Sequence, residues 1–123
     1  MKKIFLFSTL SAVVAASAAP IKFQPTDWPG WRGLKGDGHA VAAKGLPVDW
    51  SAEKNVAWKV KLPGRGHSTP TIVRDRIYLA TAEVEAQVQS VLCLDKGTGK
   101  VIWQTQVHTG KLLKGGNKHA SHA

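Results

Sequence analysis

Val91-Leu92-Cys93-Leu94-Asp95-Lys96-Gly97-Thr98-Gly99-Lys100-Val101-Ile102-Trp103 decides how this chain is to be read. An apolar run meets a short polar segment with two glycines, and a second apolar run ends in a tryptophan. The pattern predicts strand, tight turn, strand. Leu92 and Leu94 point to one face, Val91 and Cys93 to the other. On the returning strand, Val101, Trp103 and Val107 are expected to share a face, with Ile102 opposite. A sheet covered on one side alternates apolar with polar residues. Here both faces are apolar, so both call for cover.

Working upstream, Arg76-Ile77-Tyr78-Leu79-Ala80-Thr81-Ala82 reads as a strand, joined through the two-residue turn Arg74-Asp75 to Thr71-Ile72-Val73. Asp tolerates the left-handed conformation that such turns require, which makes Asp75 the expected carrier of it. Glu83 to Gln89 is expected to be a polar linker. Val56, Trp58, Val60 and Leu62 alternate with Ala57, Lys59 and Lys61, giving a further period-two segment over Asn55 to Leu62. Pro63-Gly64 ends it, and Arg65-Gly66-His67 reads as a flexible basic turn. No segment carries a helical period, so the chain is expected to be all-β.

The stretch from Gln24 to Trp50 is rich in Gly, Pro, Trp and Asp and sustains no period. Asp27-Trp28-Pro29-Gly30-Trp31-Arg32-Gly33 alternates aromatics with turn formers, as an extended arm pinned by its tryptophans would. Gly36-Asp37-Gly38 adds a turn, and Ser51 is placed to cap a turn ending at Lys54. A calcium loop repeats acidic ligands and closes on a Glu; this stretch supplies Asp37 alone.

The chain opens with Lys2 and Lys3, then an apolar run from Ile4 to Ala16, then Ala16-Ser17-Ala18. That order is expected of a secretory signal peptide over 1–18, cut after Ala18. A cut one residue later would place Pro20 first in the mature chain, which signal peptidases disfavour. As an uncleaved anchor the run falls short of the roughly 20 apolar residues that a bilayer requires. No Cys follows it to carry a lipid, and no Arg pair precedes it. An exported product, periplasmic or extracellular, is expected. Division then falls at 19–54 for the arm and 55–123 for the repeat region. Cys93 is the single cysteine, flanked by Leu92 and Leu94, and is expected to pack as a small core hydrophobe.

The interval from Trp58 to Trp103 matches the about 40–45 residues of a four-stranded propeller blade. Val56-Ala57-Trp58-Lys59-Val60 is echoed by Val101-Ile102-Trp103-Gln104-Thr105, and His67-Ser68-Thr69-Pro70 faintly by His119-Ala120-Ser121-His122. The motif Leu94-Asp95-x-x-Thr98-Gly99-Lys100-x-x-Trp103 resembles the repeat of the pyrroloquinoline-quinone-like (PQQ-like) β-propellers. Asp27 to Gly33, Leu46-Pro47, Trp50 and Asn55 to Lys59 are similar to the opening of a secreted subfamily of them. The resemblance implies an incomplete β-propeller, about one four-stranded antiparallel blade plus a closing strand. Asn55 to Leu62 would be that closing strand, Thr69 to Val107 the blade, and the tail from His108 the way into the next blade. Propellers use about 4–8 blades, so a fragment of a longer propeller is expected, or a short form that self-associates. Without neighbours, the Trp103 and Leu92 faces are expected to lie open.

Each motif residue has its own chemistry. Asp95 and Thr98 can accept hydrogen bonds from turn amides. Gly99 supplies a positive φ, Lys100 leads into the second strand, and Trp103 fills space between blades. Gly97-Thr98-Gly99-Lys100 is no phosphate loop, because a Walker motif continues with Ser or Thr into a helix whereas Val101 opens a strand.

Seventeen Lys and Arg against eight Asp and Glu give a formal net charge of +9. Charge of that sign favours anionic surfaces. The cations are spread along the chain, apart from a basic tail at Lys111, Lys114 and Lys118, so no nucleic-acid stripe is formed. The resemblance implies a non-catalytic binding or assembly scaffold with protein or envelope components as partners. Its alternative is the N-terminal piece of a quinoprotein alcohol or sugar dehydrogenase, using pyrroloquinoline quinone and calcium. Such enzymes often carry a vicinal disulfide, a stacked Trp, and a carboxylate and Asn set for calcium, parts that further blades could supply. Cys93 has no adjacent Cys, and no carboxylate cluster is present. No Ser/His/Asp or paired-carboxylate constellation exists, so no catalytic residue or metal ligand is assigned and no cofactor is expected of these residues. Arg65 and His67 are the candidate ligand contacts. His119 and His122 form an H-x-x-H pair without further ligands.

Overall fold

The computed structural model describes residues 19–41, 45–112 and 122–123. Four strands form one antiparallel sheet in the order of the chain: β1 (Thr71–Val73), β2 (Arg76–Glu83), β3 (Val88–Asp95) and β4 (Val101–Thr109). The described residues contain no helix. This is an all-β unit, one four-stranded sheet that does not close on itself, as in a partial propeller blade. The expected signal segment 1–18 lies outside the described residues.

Sequence order equals spatial order because every connection is a short turn, which antiparallel neighbours permit. The turn between β1 and β2 is the two-residue Arg74-Asp75, with Val73 opposite Arg76. The left-handed residue is Arg74, at φ 54, and not Asp75. Arg74 is held there by a neighbour: Asp27 accepts its amide hydrogen at 2.6 Å. The expected linker from Glu83 to Gln89 shrinks to 84–87, since Glu83 pairs with Val88 and Gln89 with Ala82. Cross-strand bonding to β2 and β4 extends both strands beyond their apolar runs.

β4 departs from strict alternation. Leu94 pairs with Val101 and Cys93 with Trp103, leaving Ile102 as an extra residue; Val107 is likewise extra between Gln106 and His108. Each bulge shifts the alternation by one residue. Val101 therefore shares the Leu94 face and Trp103 the Cys93 face, contrary to the shared face that simple alternation predicts. Tyr78, Cys93 and Trp103 form one cross-strand row, and the Tyr78 and Trp103 rings meet with centroids 6.1 Å apart.

The core is narrow and centred on β3. Leu92, Cys93 and Leu94 are buried, joined by Ala82, Leu112 and the polar Asp27, Thr81 and Ser90. Cys93 is the buried free thiol expected. Leu92 is fully covered rather than open. It is flanked in register by Leu79 and Gln104, and the Gln104 amide reaches along that face to Ser90 at 3.2 Å. β4 is different: all of its residues are exposed.

The arm is attached through backbone rather than through several tryptophans. Trp28 exchanges two 2.8 Å hydrogen bonds with Ile72, bridging the outer side of β1. Trp31 and Trp50 remain 77% and 61% exposed, so Trp28 alone of these three lies against the sheet. Ser51 caps its turn as expected, its hydroxyl accepting from the Glu53 and Lys54 amides. Asn55 to Leu62 forms no ladder. The closing strand expected there is therefore not formed: the described sheet consists of β1 to β4 alone.

Candidate functional site

The turn between β3 and β4 is built by its own side chains. Asp95 Oδ1 accepts from the Thr98 amide at 2.8 Å and from the Thr98 hydroxyl at 2.9 Å. Backbone bonds from Gly99 to Asp95 and from Asp95 to Lys100 close the loop. The Thr98 hydroxyl, and next the Thr98 amide, hold the Asp95 carboxyl below its usual pKa, since both bonds favour the anion. Arg76 adds a longer contact to Asp95 Oδ2 at 3.5 Å. Gly99 has φ 71 and is buried.

Against this turn lies Trp58. Its indole N–H donates to the Lys96 carbonyl at 2.9 Å, and a Cβ placed on Gly99 would overlap the indole ring. The tryptophan of the first repeat-like segment thus rests on the glycine of the second segment's turn. Trp103, its counterpart one repeat on, is 42% exposed. These motif residues have structural contacts in the turn and on the sheet.

Arg65 and His67 sit on a different edge. Arg65 bridges Ala82 through two 2.9 Å backbone bonds. Thr81 donates its hydroxyl hydrogen to the Pro63 carbonyl, and Ser68 Oγ engages both the amide and the carbonyl of Ala80. The segment is fastened along β2 at three places, with Arg65, Gly66 and His67 exposed between them. Its glycines lie where the chain packs closely against β2. A Cβ on Gly64, at φ 67, would overlap the Ala82 carbonyl, and one on Gly66 would lie 2.8 Å from the Ala80 carbonyl. Glycine is there because backbone approaches backbone closely.

Asp27 was not singled out by sequence reasoning. Only 3% exposed, it spends Oδ1 on the Arg74 amide and Oδ2 on the Gln24 amide at 2.7 Å. The Arg74 amide, then the Gln24 amide, hold its pKa down. Its only signal was a lone Asp among turn formers next to Trp28. Asp37 has its pKa lowered chiefly by the His39 amide at 2.9 Å, so this carboxylate caps its own turn.

His119, Lys114 and Lys118 lie outside the described residues. His122 gives its carbonyl to the Gln89 side chain. Among the described residues, no group of three or more His, Cys, Asp or Glu is placed to hold a metal ion, and Cys93 is enclosed in the sheet. No helix among the described residues is long and apolar enough to cross a membrane.

A family model of PQQ-type repeats, described as outer membrane protein assembly factor BamB, matches residues 14–122. No curated protein and no solved structure matches the chain.

Proposed function

The chain belongs to this PQQ-like repeat family, and from that membership we propose that it is an exported, non-catalytic scaffold for binding or assembly in the cell envelope. The family's link to outer-membrane protein assembly supports the envelope setting and protein partners. One observation carries the scaffold reading: Trp58 seated on the Gly99 turn. It commits the motif residues to joining repeat to repeat and leaves recognition to connecting loops. Arg65 and His67 are the loop residues we assign to partner contact, exposed on a backbone that the Ala82 bridge holds still.

Deleting the gene in its native host tests this. Folding of outer-membrane barrels, followed by their heat-modifiable gel mobility, should slow and recover with the wild-type chain. A paired Arg65→Ser, His67→Ser variant that folds should restore it less well. Unchanged barrel folding, with dye-linked alcohol oxidation appearing on addition of quinone and calcium, would reject the scaffold reading in favour of a dehydrogenase.

A further inference from the structure

The β1–β2 turn and the start of the described arm border an open, shallow cleft of about 630 Å³. Its lining combines three cations, Lys22, Arg74 and Arg76, with the apolar surfaces of Ile21, Val73 and Tyr78. Arg74 projects from a fixed base, because buried Asp27 holds its amide. Both Asp27 oxygens are occupied by amides. Arg76 touches Asp95 at 3.5 Å and the Asp75 carbonyl at 3.1 Å through one nitrogen, and a guanidinium has five donors in all. The one acid in the lining, Asp75, has Lys96 at 4.0 Å. Lys22 and Arg74 close no ion pair among the described residues.

We propose that this cleft binds an acidic peptide segment, one apolar side chain entering between Ile21, Val73 and Tyr78 while flanking carboxylates meet Lys22, Arg74 and Arg76. Charge complementarity selects the anion, and planar guanidinium groups suit carboxylates. Apolar side chains interspersed among the cations favour a peptide carrying an apolar residue over a membrane surface, which attracts clustered cations without needing apolar contacts. The cleft lies at the β1–β2 turn and does not involve the Arg65–His67 loop, so it stands or falls separately from the role proposed above.

The test uses the full mature chain and a fluorescein-labelled pentapeptide of one leucine between glutamate pairs, read by anisotropy. Arg74→Gly removes the cation at a position whose φ of 54 glycine accepts without strain, so the variant folds. Arg74→Gly and Lys22→Ser should each weaken binding about two- to fivefold, the worth of a partly exposed ion pair. The glutamine version of the peptide should bind weakly, and Lys59→Ser, an exposed cation outside the cleft's lining, should leave affinity unchanged. No binding by the wild-type chain, or equal binding by Arg74→Gly, overturns the proposal. So does loss on Arg74→Gly of binding to phosphatidylglycerol vesicles but not to the peptide, which would identify a membrane site.

Discussion

Gly99 has no room for a side chain, since its φ is 71 and the Trp58 indole occupies the space where a Cβ would project. Gly99→Ala must strain the backbone or displace Trp58. It should destabilise the fold by about 1–3 kcal/mol, read as a lower denaturant midpoint with red-shifted tryptophan emission. Trp58→Phe keeps most of the ring but removes the bond to the Lys96 carbonyl, and should cost about 1 kcal/mol. Asp95 gives a pH signature. Its folded pKa is lowered by Thr98, so its contribution is fully present above the unfolded value of about 3.9. That contribution is lost as pH falls through the folded value. Asp95→Asn should melt lower than wild type at pH 7, with the gap closing below about pH 4. The roles of Asp95, Thr98 and Gly99 were legible in the sequence because their contacts span only a few residues. Trp58 on Gly99 was not, because nothing local links positions 38 residues or more apart. Asp27 escaped for the same reason: its decisive partner, Arg74, is 47 residues away.

At the level of elements, strands announce themselves by alternation, and all four of the blade were legible near their observed places. Alternation cannot report a bulge. Ile102 and Val107 look like ordinary strand residues, yet as extra residues they put Val101 and Trp103 on opposite faces. Nor does it say which tryptophans pack, and Trp31 and Trp50 stay open while Trp28 bridges β1. The edge of β2 offers a sharp test. Gly64 lets the Arg65 backbone reach Ala82. Gly64→Ala should break that bridge and speed hydrogen exchange at the Ala82 amide, now bonded to the Arg65 carbonyl at 2.9 Å. The Cys93 amide in the sheet centre should exchange as before. Equal acceleration at both would mean that the edge and the sheet open as one unit.

For the molecule as a whole, the decisive surface is β4. Val101, Ile102, Trp103 and Val107 are 42–60% exposed on a nine-residue strand at the rim of the sheet. Edge strands of this length and apolar character pair with other chains, and repeat units ordinarily bury such faces against neighbours. The family match and the open four-stranded sheet fit one partial propeller blade, and the exposed β4 face would be covered if a further sheet lay beside it. Ile102→Lys and Val107→Lys, placed at the bulges, should raise solubility with little loss of secondary structure, measured by far-UV circular dichroism. Sedimentation velocity on residues 19–123 over a wide concentration range tests the central claim most directly. A blade that needs neighbours should associate as concentration rises, and the two lysine variants should reverse that association. A single monomeric species at every concentration, melting cooperatively at high temperature, would contradict it.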